Sequence, residues 1–315
     1  MTGTGLTRTL RIGTRTSTLA LTQSGHVVAS LRALGVRVDL VPMLTPGDGT
    51  TTPLAGLSQQ GIFVSTVREA LLDGSIDAAV HSFKDLPTTP EPGLMIAAVP
   101  PRVDARDVVI TSDRRPLANL PSGSRIGTCS ARRSAWARRI RPDLSVVPIR
   151  GNIDERIERT RAGEFHAIVL AAAGVIRLGR ADVISDYLAI VDLPPAPAQG
   201  ALALECRTDD AAVRRVLASI DHRRSHVAAL AERFILEALD PTEASALGAF
   251  AEVRGDRLSL LADCSDPDGI RRVTAQRSTR IDLGADLAAQ ARRLAAAAVD
   301  DLARKGVGEM LAAAS

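Results

Sequence analysis

Over the first 220 residues, short apolar runs alternate with longer stretches whose apolar positions recur at helical spacing. Residues 10–13 read as a strand, 19–34 as a helix and 36–41 as a second strand. Residues 63–72 read as a helix with Phe63, Val67, Ala70 and Leu71 on one face, and 78–80 as a buried strand. Strands at 124–127, 146–149 and 167–170 continue the series, separated by helices at 131–140 and 153–162. This alternation is the pattern of a parallel sheet covered on both faces. After Asp221 the pattern changes to a long helix (225–239), a hairpin turning at Gly255-Asp256 and a closing helix (283–302). The predicted fold class is α/β, followed by a small α+β C-terminal domain.

A weak repeat divides the α/β part. Arg11-Ile12-Gly13-Thr14 is matched by Arg125-Ile126-Gly127-Thr128, each a strand end running into a helix start. Gly74-Ser75-Ile76-Asp77-Ala78-Ala79-Val80 is echoed by Gly163-Glu164-Phe165-His166-Ala167-Ile168-Val169. Two similar lobes account for it, and such lobes bind ligands at the carboxyl ends of their strands. The Pro-rich stretch 193–200 reads as a crossover linker, after which a strand at 201–205 returns to the first sheet. The expected domains are residues 1–100 with 201–220, residues 101–200, and residues 221–315.

Composition narrows the function. Hydrophobic residues make up 45% and charged residues 24% of the 315, as in an ordinary globular protein. Only 2% are aromatic, which leaves little for stacking single-stranded nucleic acid. Residues 1–15 have no apolar core of signal-peptide length and no segment has the apolar length of a membrane span, so a cytoplasmic protein without membrane contact is expected. Cys129, Cys206 and Cys264 are too few and too scattered for a disulfide framework or a zinc site. No exposed heptad or apolar stripe argues against a monomer. Net charge is only +3, yet of the 39 basic residues only Lys84 and Lys305 are lysine.

Those arginines concentrate where anions bind. Arg15-Thr16-Ser17 sits where the first strand meets its helix, and Ser130-Ala131-Arg132-Arg133 sits at the matching point of the second lobe. Helix N-termini offer free N–H groups and partial positive charge, and Ser or Thr caps them. Arg150 follows a strand, Arg156 lies one turn into the next helix, and Arg177 follows the exit of another strand. Guanidinium grips carboxylate through two parallel bonds, as lysine cannot. Singly, each is equally well a solvated surface arginine; at equivalent topological points they imply a ligand with several carboxylates or phosphates. His81-Ser82-Phe83-Lys84-Asp85-Leu86-Pro87 follows a buried strand and adds a cation and a carboxylate. Asp85 there is placed to stabilise a cationic intermediate or to exchange protons with it. There is no Walker A, GxGxxG, HExxH or GxSxG pattern.

Taken in order, residues 11–20, 81–87, 127–133, Arg150-Gly151-Asn152, 170–174 with Arg177-Leu178-Gly179, and Gln199-Gly200-Ala201 with Glu205-Cys206-Arg207 resemble the porphobilinogen deaminase (hydroxymethylbilane synthase) family. The resemblance runs through nearly the whole chain. It implies two lobes like those of periplasmic binding proteins, with mixed sheets, and a third domain carrying the family's cofactor loop. It implies a cytoplasmic transferase of tetrapyrrole biosynthesis that joins four porphobilinogens head to tail and releases ammonia each time. Porphobilinogen carries an acetate and a propionate. By position Asp85 resembles the family's catalytic aspartate, and Arg15, Ser17, Lys84, Ser130, Arg132, Arg133, Arg150, Arg156 and Arg177 its carboxylate-binding set.

The family holds a dipyrromethane primer on a cysteine of a Gly-Gly-Cys loop. Counted without gaps from Glu232-Arg233 to Gly248, Glu243 stands at the cysteine position and Pro241-Thr242 at the two glycines. Gln60 stands where the family usually keeps lysine. A carboxylate forms no stable thioether. If the turn at Gly255-Asp256 pairs Arg254 with Arg257, Cys264 lies opposite Leu247 and is a conceivable displaced anchor; the alternative is a small buried strand residue. Two functions remain open: an enzyme condensing porphobilinogen or a close pyrrole, with or without a covalent primer, and a non-catalytic receptor that keeps the arginine site. Retention of Asp85 favours the enzyme.

Overall fold

A computed structural model of the chain describes residues 8–45, 64–242 and 245–313. Phe63, Gln60 and Glu243 lie outside the described residues. The first elements are β1 (Leu10–Arg15), α1 (Thr18–Ala33), β2 (Val38–Met43), α2 (Ser65–Leu72), β3 (Ala78–Ser82) and β4 (Leu94–Ala98). Next come β5 (Asp107–Thr111), β6 (Arg125–Gly127), α3 (Ala131–Ile140), β7 (Ser145–Val147), α4 (Ile153–Arg161), β8 (Ala167–Ala171), α5 (Ala172–Arg177) and β9 (Asp186–Tyr187). The chain continues through β10 (Leu202–Arg207), α6 (Ala211–Ala218) and α7 (Arg223–Leu239). It ends with β11 (Ala246–Arg254), β12 (Arg257–Ser265), β13 (Arg272–Arg280), α8 (Leu287–Arg304) and α9 (Val307–Ala313).

Two compact units result, one of residues 1–103 and 200–226, the other of residues 104–199 and 227–315. The first holds a sheet of order β2-β1-β3-β10-β4. β1 runs parallel to β2 and β3, while β10 is antiparallel to β3 and β4. The second holds a sheet of order β7-β6-β8-β5-β9, again with two parallel pairs around β6 and antiparallel pairing of β5 to β8 and β9. Both sheets are therefore mixed rather than purely parallel. Sequence alternation leaves residues 94–98 and 107–111 unassigned, and they form antiparallel strands β4 and β5. In each sheet the fourth strand adjoins a crossing between units: β5 just after the first, β10 just after the second.

The repeat is physical. Asp77 N–H donates to the Arg11 carbonyl (2.8 Å), and Arg11 N–H donates back to Asp77 Oδ2 (2.8 Å). In the second sheet His166 N–H donates to the Arg125 carbonyl (2.9 Å) and Arg125 N–H to His166 Nδ1 (3.0 Å). The matched glycines have one cause as well. A Cβ on Gly13 would lie 2.4 Å from Ile76 Cδ1, and one on Gly127 2.9 Å from Phe165 Cδ1. Ile76 and Phe165 are the matched apolar residues that press onto these strands.

The second unit also contains the antiparallel sheet β11-β12-β13, with α7 and α8 closing its core through Val227, Ala231, Ile235, Ala291, Leu294 and Ala298. Arg254 pairs with Arg257 and Leu247 with Cys264, the register predicted from the turn. β13 extends the hairpin to three strands. α8 starts at Leu287, later than residue 283, because Asp286 caps it by accepting from Ala289 N–H (3.1 Å). The Pro-rich crossover segment is pinned down in this unit. Glu232, fully buried, accepts from Ala198 N–H and Ala251 N–H (2.6 Å each), and Ala249 N–H donates to the Pro195 carbonyl (2.9 Å).

Candidate active site

In the first unit the site grows from two adjacent parallel strand ends. β1 and β3 are in register at Ile12 with Ala78 and Gly13 with Ala79, so their carboxyl ends share one edge. β1 ends at the half-buried Arg15, and Ser17 caps α1 by accepting from Ala20 N–H (3.3 Å). β3 runs into a single 3₁₀ turn at Phe83–Asp85. Phe83, fully buried, donates its N–H to the Ala201 carbonyl (3.0 Å), and Leu86 is buried on the other side. Lys84 and Asp85 between these anchors stay half-exposed. Ser82 Oγ bonds Gln23 Oε1 (3.0 Å), tying the end of β3 to α1. Arg15, Ser17, Lys84 and Asp85 thus belong to one edge of one sheet.

Beneath that turn lies a buried polar chain that sequence patterning missed. Arg68 donates to both oxygens of Glu205 (3.0 and 2.8 Å), and His81 Nε2 lies 3.3 Å from Glu205 Oε2. Burial alone would raise the Glu205 carboxyl, but His81 and Arg68 lower it below its ordinary value. Its signal in the sequence was a glutamate inside the apolar strand run 201–205, which a core tolerates only when paired.

In the second unit the carboxyl ends of β6, β7 and β8 carry the remaining predicted residues. Ser130 caps α3 by accepting from Arg133 N–H (3.5 Å). Arg150 follows β7 and is exposed, and Asn152 forms a capping box with Glu155 at the start of α4. Arg156 Nε donates to the Gly151 carbonyl (2.8 Å). Burial lowers the Arg156 pKa, and the positive charges of Arg133, Arg150 and Arg159 lower it further. Arg177 is the last residue of α5 rather than part of a strand exit, because residues 172–177 are helical. Burial brings its pKa down to about 10, still protonated at neutral pH.

Arg132 and Arg133, expected to grip a ligand, are both buried and both pair with a carboxylate of the protein itself. Arg132 Nη1 lies 2.6 Å from Asp107 Oδ2 and donates to the Pro194 carbonyl (2.9 Å). Arg133 donates to Asp107 Oδ1 through Nε (3.1 Å) and Nη2 (2.7 Å), and to the Val169 carbonyl through Nη1 (3.0 Å). Their positive charge remains: two guanidiniums face one carboxylate. Asp107, at the head of the apolar run 107–111, was missed because one acid beside Arg106 looks like a surface pair.

The cysteines differ sharply. Cys129 is exposed beside Ser130, its Sγ donating to the Ile149 carbonyl (3.1 Å). Cys206 is fully buried and its thiol is pushed up to about 11 by burial. Cys264 is 1% exposed, and burial pushes its thiol up to about 12. Cys264 packs in the core of the three-stranded sheet, as the alternative of a small buried strand residue expects, and a buried thiol raised in this way is a poor nucleophile. Among the described residues no group of His, Cys, Asp and Glu could hold a metal ion, and no helix is long and apolar enough to cross a membrane.

Comparison with known proteins agrees with the geometry. Residues 10–215 match a family model described as porphobilinogen deaminase, dipyromethane cofactor binding domain. A porphobilinogen deaminase of Leifsonia xyli is 44% identical over 278 residues, covering 87% of this chain and 84% of that one. One from Nocardia farcinica is 47% identical over 244 residues, covering 78% and 70%. One from Thermobifida fusca is 42% identical over 308 residues, covering 97% and 96%. Among solved structures, the methionine binding protein MetQ aligns with a TM-score of 0.42 at 12% identity, covering 67% of this chain and 89% of that one, too loose a likeness to bear on function. Motif order, strand-end arginines, the turn bearing Asp85 and these matches converge: the chain belongs to the porphobilinogen deaminase family.

Proposed function

We propose that the protein condenses porphobilinogen, or a close pyrrole, head to tail into a linear oligopyrrole such as hydroxymethylbilane. The observation that carries this reading is Asp85, held half-exposed between buried Phe83 and Leu86 on the strand edge it shares with Arg15 and Ser17. In each step the bond from the methylene carbon to nitrogen breaks and nitrogen leaves as ammonia. The methylene-pyrrole cation left behind is stabilised by the Asp85 carboxylate. The free α-carbon of the next pyrrole then forms the C–C bond and sheds its proton. Arg15, Ser17 and Lys84 in the first unit, and Ser130, Arg150, Arg156 and Arg177 in the second, are assigned to the substrate's acetate and propionate, with Arg132 and Arg133 contributing charge behind them.

A covalently held dipyrromethane fits these residues poorly. Such a group requires a reactive thiol at the attachment loop; the chain has Glu243 at that position, the thiols of Cys206 and Cys264 are buried and raised, and the exposed Cys129 belongs to the 127–133 segment of the second lobe, not to that loop. We read the protein as a specialised member of its family that holds its pyrroles without that thioether. Porphobilinogen is supplied, ammonia is measured, and products are weighed by mass spectrometry alongside the intact protein. The expected result is ammonia release with linear pyrroles in solution and no mass added to the chain. Asp85→Ala is expected to abolish release while binding stays measurable. Saturable binding without ammonia would establish a receptor instead, and a dipyrrole adduct on the purified chain would restore the covalent primer.

A further inference from the structure

Asp107 is the negative centre of the second unit's site. Its side chain is fully buried, and Oδ1 alone accepts from Arg133 Nε, Arg133 Nη2 and Gln199 Nε2 (3.1, 2.7 and 3.1 Å). Oδ2 lies 2.6 Å from Arg132 Nη1. Gln199 uses the same amide on the carbonyls of Ala105 (2.8 Å) and Arg106 (3.3 Å), fastening the chain segments next to the first two of the three crossings between units. Two adjacent guanidiniums cannot be buried side by side without a counter-charge, and a single carboxylate leaves the trio one positive charge in surplus. Arg133 also sits in the first turn of the helix that Ser130 caps, Cys129 directly precedes that cap, and the positive charge of Arg133 lowers the Arg156 pKa.

We propose that Asp107 is a positioning residue for ligand binding. It acts through Arg132 and Arg133, pinning both guanidiniums so that their surplus charge backs the anion site at Ser130, Arg150 and Arg156, with Gln199 fixing its orientation. The inference rests on the assignment of that site to the substrate's carboxylates. It goes beyond it in naming a residue that touches no ligand yet sets the affinity.

The test compares wild type with Asp107→Asn, Asp107→Glu and Gln199→Ala in full-length protein. Asp107→Asn is expected to raise KM for porphobilinogen about tenfold with a much smaller change in kcat, as loss of ground-state carboxylate binding does. Asp107→Glu, which keeps the charge, is expected to recover part of that loss. Gln199→Ala, which keeps the ion pairs, is expected to raise KM about threefold and carries the test if Asp107→Asn does not fold. Folded variants with wild-type KM overturn the proposal, since a residue needed only for stability lowers the unfolding temperature and leaves KM alone. A wild type that releases no ammonia counts against the proposed function, not against this inference. The readout is then the rate of Cys129 alkylation by iodoacetate relative to iodoacetamide. A ratio altered by Asp107→Asn supports the pinning of charge near that thiol, and an unaltered ratio refutes it.

Discussion

At the residue scale, burial decides which chemically capable groups are available. Native protein treated with iodoacetamide near pH 8 should acquire one adduct, on Cys129, because Cys206 and Cys264 are buried neutral thiols raised to about 11 and about 12. Alkylation of all three cysteines should follow only after unfolding, and peptide mapping reads this directly. Asp107 makes the opposite case. Burial alone would raise its carboxyl, but Arg132, Arg133 and Gln199 more than offset that and hold it well below the usual carboxylate range. A carboxyl depressed in the folded state stabilises the fold fully above its unfolded pKa of roughly 4, and this contribution fades as pH falls further. Thermal unfolding followed from pH 6 to pH 3 should therefore show a steep acid limb, shallower in Asp107→Asn. The same substitution should cost about 3–5 kcal/mol near pH 7, as breaking one side of a buried ion pair does.

At the element scale, the repeat is the feature most legible in the sequence and the most informative about the site. Gly13 and Gly127 were visible as matched residues, but only packing explains them: Ile76 and Phe165 occupy the space a Cβ would need. The strand-end arginines were legible for the same reason, since motif and topology repeat together. What the pattern did not contain was β4, β5 and β13, or the antiparallel sense of β10. Runs such as 94–98 and 107–111 have no alternation to identify them as strands. Gly248 in β11 is a further close approach. A Cβ there would lie 2.3 Å from the Pro194 carbonyl oxygen, which is backbone and cannot swing aside. Gly248→Ala should lower stability by about 1–3 kcal/mol, measured by urea unfolding, as overpacking does.

At the scale of the whole molecule, each unit is held together by buried charges that serve as internal ligands. In the first unit Glu205 joins α2 to β3 through Arg68 and His81; in the second Glu232 joins the crossover segment to β11. Glu232→Ala would leave the Ala198 and Ala251 N–H groups buried without that acceptor, at about 1–3 kcal/mol each. A fall in unfolding temperature with loss of cooperativity in the second unit is the expected outcome, read by hydrogen exchange at β11. The sequence by itself determined the order of motifs, the two-lobed α/β plan with its α+β end, the 254–257 hairpin register, and the aspartate and arginines at strand ends. These follow from local patterning and from short segments whose chemistry is self-contained. Only the tertiary structure decided that Arg132, Arg133 and Gln199 converge on Asp107 and that Cys264 is core. Burial and pairing are set by residues that lie far apart in the chain, such as Arg133 and Asp107, which no local pattern brings together.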